Sequence, residues 1–190
     1  MAGWSDTRKG MEVIDLALVA VSLALGGILK GAIGAGAPVL AVPMIALLVD
    51  VPTAVAVFTL PNLISNIWQA RAYRRDLLPM GFVCRFAISG MAGAAVGSVI
   101  LAVVTGEVLM ATLAAIVFGY IALRLSRPGW SLSRSVADRV VLPVGLVAGV
   151  MQGAGGISAP VSLTFLDSMR LERGAFISTV SVFFAAMGLV

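Results

Sequence analysis

The sequence repeats one glycine-rich patch that ends in proline, and this patch is the part of the chain best suited to binding a ligand. Residues 27–39 and 149–161 agree at seven of thirteen positions when aligned at an offset of 122. Glycine and proline interrupt a helix, because glycine frees the backbone and proline lacks an N–H. Within a membrane, such an interruption is tolerated where it lines a cavity, and the N–H groups that start the next helix attract anions. The patches therefore predict an anion site built largely from backbone N–H groups.

Polar side chains lie beside both patches. Lys30 and Gln152 occupy equivalent positions in the two copies, and we expect Lys30 to neutralise a bound anion. The competing interpretation of Lys30 is a lysine whose long side chain reaches the membrane surface. Asn62 and Asn66 are four residues apart and share one face of a later helix. We expect them to complete the ligand shell, and hydrogen bonding between helices is their alternative role.

The predicted site is near the middle of the membrane, where the backbone unwinds at the glycines and each helix restarts at a proline. We expect backbone N–H groups and amide side chains to bind the anion at this site. The candidate substrate-binding residues are Lys30, Gly34, Gly36, Pro38, Asn62, Asn66, Gln152, Gly155, Gly156, Ser158 and Pro160.

Other glycines recur at a spacing of four residues, which is typical of helices that pack closely against each other. The pairs and triplets with this spacing are Gly27/Gly31, Gly93/Gly97 and Gly145/Gly149/Gly153. We assign these glycines to packing and only the Gly–Pro patches to binding.

The composition is that of an integral membrane protein. The chain has 190 residues, of which 60% are hydrophobic and 12% charged, and its mean hydropathy is +1.07. There is no histidine and one cysteine, so we expect no enzyme, no metal site and no cofactor. The net charge of +4 comes from arginines next to apolar segments, which indicates cytoplasmic loops rather than nucleic-acid binding.

We interpret the chain as an all-α, polytopic integral membrane protein with two internal repeats, each holding a glycine-broken helix and a short half-helix. Residues 1–125 form the first repeat, 126–139 a cytoplasmic loop, and 140–190 the start of a second repeat that we expect to be truncated. If the short segments cross the membrane, the repeats are inverted and Arg170 and Arg173 are cytoplasmic. If those segments are re-entrant, the repeats are parallel. The arginine pair favours inversion.

At these motifs the chain resembles the TauE/SafE sulfite exporter family, whose pattern is Gly-x-x-Gly-x-Gly-Gly followed by proline in each half. Residues 31–38 read Gly-Ala-Ile-Gly-Ala-Gly-Ala-Pro, and residues 153–160 read Gly-Ala-Gly-Gly-Ile-Ser-Ala-Pro. Residues 90–97, Gly-Met-Ala-Gly-Ala-Ala-Val-Gly, are also similar to the family. Ala37, Ser158 and Ala159 depart from the pattern.

The resemblance implies a permease of the bacterial inner membrane that moves small sulfur-containing or organic anions, such as sulfite, sulfonates or sulfoacetate. We expect secondary transport by alternating access, with the lipid bilayer and the anion as partners and a proton or ion as a further coupling partner. The alternative function is a non-transporting membrane subunit that anchors a larger complex, in which case the breaks are close-packed and line no cavity. The oligomeric state and the direction of transport stay open.

Overall fold

The computed structural model describes residues 13–33, 41, 44–45, 48, 51–103, 115, 118–119, 122, 126, 131–156 and 158–190. Within these residues the chain is all-helical, with six α-helices, one 3-10 turn and no strand. The helices are α1 (Val13–Ile33), α2 (Val51–Ala72), α3 (Met80–Val103), α4 (Arg134–Gly155), α5 (Ala159–Ser168) and α6 (Arg173–Met187), with the 3-10 turn at Arg74–Asp76.

Two stretches in these helices, Met80–Ile100 and Arg134–Ala154, are long and apolar enough to cross a membrane. At 21 residues each, they rise about 30 Å, the thickness of the hydrocarbon layer. The chain divides into two compact units, Met1–Phe58 and Thr59–Val190. In the first unit, Ala41, Ile45 and Phe58 form a small buried cluster.

Glycines bring α3 and α4 into direct backbone contact. A Cβ on Gly149 would lie against the carbonyl oxygen of Gly90, and a Cβ on Gly153 against that of Ala94. The residue numbers rise together along both helices, so α3 and α4 run parallel. The packing role predicted for Gly93 is confirmed as well, because a Cβ there would meet the backbone of α4.

The equivalent packing prediction for α1 stays a prediction. No described atom lies within 4 Å of a Cβ built on Gly27 or Gly31.

Helix α5 turns back toward the start of α4. The N–H of Leu132, just before α4, donates to the carbonyl of Ser168 at 2.8 Å. Phe165 of α5 packs on Phe86 of α3, with 5.6 Å between the ring centroids. Phe183 of α6 stacks on the same Phe86 ring at 3.8 Å. These aromatic contacts hold α3, α5 and α6 together around one apolar core.

Helices α2 and α6 run antiparallel. Gly188 at the end of α6 lies beside Leu63 of α2, whereas Gly174 at its start lies against Asp76, which follows α2. Between these two contacts, the hydroxyl of Ser181 donates to Gln69. The residue numbers of α2 fall as those of α6 rise.

All charged side chains of the second unit, in the part that the structure describes, lie at one end of the helices. Arg85 of α3 donates to the carboxylate of Asp138 of α4 at 2.9 Å, and Arg134 reaches the same carboxylate at 3.3 Å. The residues of this basic end are Arg71, Arg74, Arg75, Asp76, Arg85, Arg134, Asp138, Arg139, Asp167, Arg170, Glu172 and Arg173. Arginines outnumber acids two to one there, as on the cytoplasmic face of membrane proteins.

The first prediction concerns the α3–α4 contact. Replacing Gly149 by valine forces the two backbones apart, because the new Cβ overlaps the Gly90 carbonyl. We expect a loss of at least about 1–3 kcal/mol of stability, measured as a lower Tm of the purified protein in detergent. Gly81→Val is the matched control, since a Cβ on this exposed glycine of α3 meets no described atom within 4 Å. Equal Tm values for the two variants would contradict the close contact.

Candidate functional site

The second glycine patch separates helix α4 from helix α5, as the sequence predicts. Helix α4 ends at Gly155, and Gly156 takes a φ of +69°, a left-handed conformation that glycine adopts at little cost. The N–H of Gly156 donates to the carbonyl of Gln152 at 2.7 Å. This N–H is therefore already paired, so Gly156 shapes the turn, and its role in binding stays a prediction. Helix α5 begins at Ala159 and carries Pro160 in its first turn.

A hydrogen bond between two predicted site residues closes the break. The hydroxyl of Ser158 donates to Oε1 of Gln152 at 2.8 Å, and Ser158 is only 2% exposed. Because this hydroxyl faces Gln152, it does not cap the start of α5. The carbonyl of Ser158 instead accepts from the N–H groups of Val161 and Ser162.

These contacts leave a small set of donors at the start of α5. Pro160 has no N–H, and the next two N–H groups are paired with Ser158. The N–H groups of Ser158 and Ala159 are then the ones best placed for a ligand. The partial positive charge of a helix start favours an anion at this position.

The polar face of α2 is buried in the second unit. Asn66 is 0% exposed, and its Nδ2 donates to Oδ1 of Asn62 at 3.3 Å. Both residues make further contacts, and α2 continues through Pro61 without a break. The structure thus confirms that Asn62 and Asn66 share one face, and their role in binding stays a prediction.

The first patch is only partly described. Lys30, in the last turn of α1, is 4% exposed and has an interaction partner. Gly34, Gly36 and Pro38 lie outside the described residues. The predicted anion contacts of the first patch therefore stay predictions.

Sequence reasoning missed a buried polar contact between α2 and α6. Gln69 is 6% exposed and Ser181 is 0% exposed, and the Ser181 hydroxyl donates to Oε1 of Gln69 at 3.1 Å. The signal available in the sequence was spacing, since Gln69 follows Asn66 by three residues and Asn62 by seven.

The second unit exposes large apolar side chains, and several polar side chains are buried beside its apolar core. Trp68, Ile88 and Val99 are each more than 60% exposed, whereas amides and hydroxyls are buried. Apolar surface of this kind is stable in contact with lipid. The buried polar residues of the unit are Asn66, Gln69, Ser89, Ser158, Ser162, Ser168, Ser178, Thr179 and Ser181.

A family model described as sulfite exporter TauE/SafE matches residues 18–190, nearly the whole chain. Comparisons with curated proteins and with solved structures find no match. The family match covers both glycine patches and every helix of the second unit.

The second prediction concerns the backbone at Gly156. Valine there must adopt a φ of +69°, at a cost of about 1–2 kcal/mol, whereas asparagine tolerates this region better. A Cβ at this position meets no described atom within 4 Å, so crowding does not separate the two variants. We expect a lower Tm for Gly156→Val than for Gly156→Asn in detergent. The reverse order would contradict the left-handed turn.

Proposed function

The chain belongs to the TauE/SafE sulfite exporter family, a family of membrane transporters, and we propose that it carries small oxyanions across the bacterial inner membrane. The substrates that this proposal favours are sulfite, sulfonates or similar organic anions. The observation that carries the proposal is the break at Gly156 and Ser158, because Ser158, which precedes the positive start of α5, is buried.

The positions of the helices support two related halves. Shifted by 122 positions, α1 (Val13–Ile33) falls on residues 135–155 of α4, and α2 begins to overlap α6. This offset is the one that aligns the two glycine patches, so we propose that each half begins with a helix, a break and a short segment.

The antiparallel direction of α2 and α6 supports inversion of the two halves. These helices are equivalent under the repeat, and parallel repeats would place them in the same direction. Leu63 lies beside Gly188 and Gln69 bonds Ser181, so the residue numbers rise along α2 as they fall along α6. Inverted halves can exchange roles on the two sides of the membrane, which is the usual basis of alternating access.

The proposed binding site uses donors and avoids carboxylates. The N–H groups of Ser158 and Ala159 hold the anion, Gln152 keeps the break in shape, and Asn62 and Asn66 add amide donors. Outside the basic end, the described part of the second unit carries no charged side chain, so no acid repels an anion there. In the first half the corresponding residues are Lys30, Gly34, Gly36 and Pro38.

We propose that the basic end faces the cytoplasm. Arg170 and Arg173, which the sequence interpretation assigned to the cytoplasm for inverted repeats, lie at the same end as Arg85 and Arg134. An excess of arginine on one side of the membrane is retained there during insertion.

The third prediction tests transport. Sulfite efflux from proteoliposomes should exceed that of empty liposomes, and Gln152→Leu and Ser158→Ala should each lower it about tenfold, as expected from the loss of one polar contact of about 1.4 kcal/mol. Ser168→Ala is the matched control, because this buried hydroxyl at the far end of α5 bonds the Phe165 carbonyl and, among the described residues, no other group.

Two results would count against this proposal. A folded wild-type protein with no efflux above background would favour the anchoring role over transport. Equal efflux in the Ser158 and Ser168 variants would reject the assignment of the break as the site.

The fourth prediction tests orientation with the one cysteine of the chain. Cys84 is exposed and lies next to Arg85 at the basic end. A membrane-impermeant maleimide should label it in inside-out vesicles and leave it unlabelled in intact cells. In a Cys84→Ser background, Val103→Cys at the other end of α3 should show the opposite pattern, since 19 residues of helix span about 29 Å. Labelling of Cys84 from outside the cell would contradict the proposed cytoplasmic orientation of the basic end.

A further inference from the structure

Gln69 is a buried amide that the proposed site does not use. It lies on the same face of α2 as Asn62 and Asn66, and only 6% of it is exposed. From Asn62 to Gln69 the helix advances about 10 Å, in the direction of Arg71 and the basic end. The buried polar face of α2 therefore extends from the proposed site toward the cytoplasmic side.

A hydrogen bond from α6 sets the orientation of this amide. The Ser181 hydroxyl donates to Oε1 of Gln69 at 3.1 Å, so the oxygen of the amide faces α6. Among the described residues, this is the one hydrogen bond made by the Gln69 side chain. Its Nε2 group carries two N–H donors that remain for another acceptor. Among the described residues, Thr179 Oγ1 is the fully buried side-chain atom without a partner, so the Gln69 Nε2 is not sealed off, and its N–H groups suit a ligand with acceptor oxygens.

The chemistry of this position favours an anion over a cation. The oxygen of Gln69 accepts from Ser181, and the oxygen of Asn62 accepts from Asn66. The Gln69 oxygen, which would ligate a cation, is thus already engaged, whereas its Nε2 keeps two N–H donors. No carboxylate lies on the described part of α2, and the first charged residue beyond Gln69 is Arg71.

We propose that Gln69, oriented by Ser181, forms a second binding site for a small oxyanion on the cytoplasmic side of Asn62 and Asn66. This inference rests on the proposed transport function and adds a second site at which the same substrate binds during transport. An anion that leaves the break passes to the Gln69 amide before it reaches the arginines. Two weak sites in series allow a substrate to be held without being trapped.

The experiment compares Gln69→Glu, Ser181→Ala and Ser178→Ala for sulfite flux in proteoliposomes and for the rise in Tm that sulfite produces in detergent. Gln69→Glu keeps an oxygen that accepts from Ser181 but replaces the two N–H donors by a carboxylate oxygen. We expect its KM for sulfite to rise at least about tenfold, as expected when hydrogen bonds to a charged ligand are lost. Ser181→Ala should raise KM by a smaller factor, because the donors stay and only their orientation is lost.

Ser178→Ala is the matched control, since this buried hydroxyl of the same helix bonds the Ala175 carbonyl; its KM should equal that of the wild type. The proposal is overturned if the wild type transports sulfite and the KM of Gln69→Glu and Ser181→Ala stays within twofold of it. If Gln69→Glu does not fold, the KM of Ser181→Ala decides. If the wild type moves no sulfite, the transport proposal fails, and the rise in Tm that sulfite produces then tests the site. Loss of this rise in Gln69→Glu, with the rise kept in Ser178→Ala, supports an anion site at Gln69. A rise kept in both variants rejects the site.

Discussion

The constraint on which the rest of this structure depends is that backbone polar groups within hydrocarbon must find partners inside the protein. A helix meets this requirement by its own hydrogen bonds, and where a helix is interrupted the freed backbone groups must find partners nearby. At the second patch the repair is made by the Gly156 N–H, the Ser158 carbonyl and the Ser158 hydroxyl, which all bond within a few residues. The N–H groups of Ser158 and Ala159, which take no part in these hydrogen bonds, lie at the start of α5. The binding chemistry proposed for the break would therefore follow from the same hydrogen bonds that satisfy its backbone.

The same requirement explains why glycine serves two purposes along α4. At Gly149 and Gly153 its missing side chain lets the backbone of α3 approach, while at Gly156 its freedom in φ ends the helix. In a membrane, where burial of apolar surface does not drive helices together, close backbone packing is a principal source of stability. The contact with α3 thus supports the helix whose end carries the break.

Local signals in the sequence were sufficient for the features that depend on neighbouring residues. The end of α4 at the glycines, the short helix after Pro160 and the packing role of Gly149 follow from residue type and spacing alone. The start of α4 at Arg134 extends six residues into the segment interpreted as a loop, because charged residues at a membrane surface are as compatible with helix as with loop. The pairing of Gln69 with Ser181 has no local signature, since it depends on the register between α2 and α6. The contacts of Gly34, Gly36 and Pro38 fall outside the described residues, so pattern alone supports their role.

The distribution of charge in the second unit connects its fold to transport of an anion. An anion within the membrane needs hydrogen-bond donors at each position where it rests, because it leaves its water behind. The described helices bury amide groups, and hydroxyls that mostly donate to backbone carbonyls, and they carry no carboxylate until the basic end. The arginines there make the electrostatic potential increasingly favourable toward one side, while Asp138 engages Arg85 and Arg134 and so limits how strongly that end retains a negative ion. Under the proposed function, amide donors followed by partly compensated arginines would bind an anion at several points without holding it at any one of them.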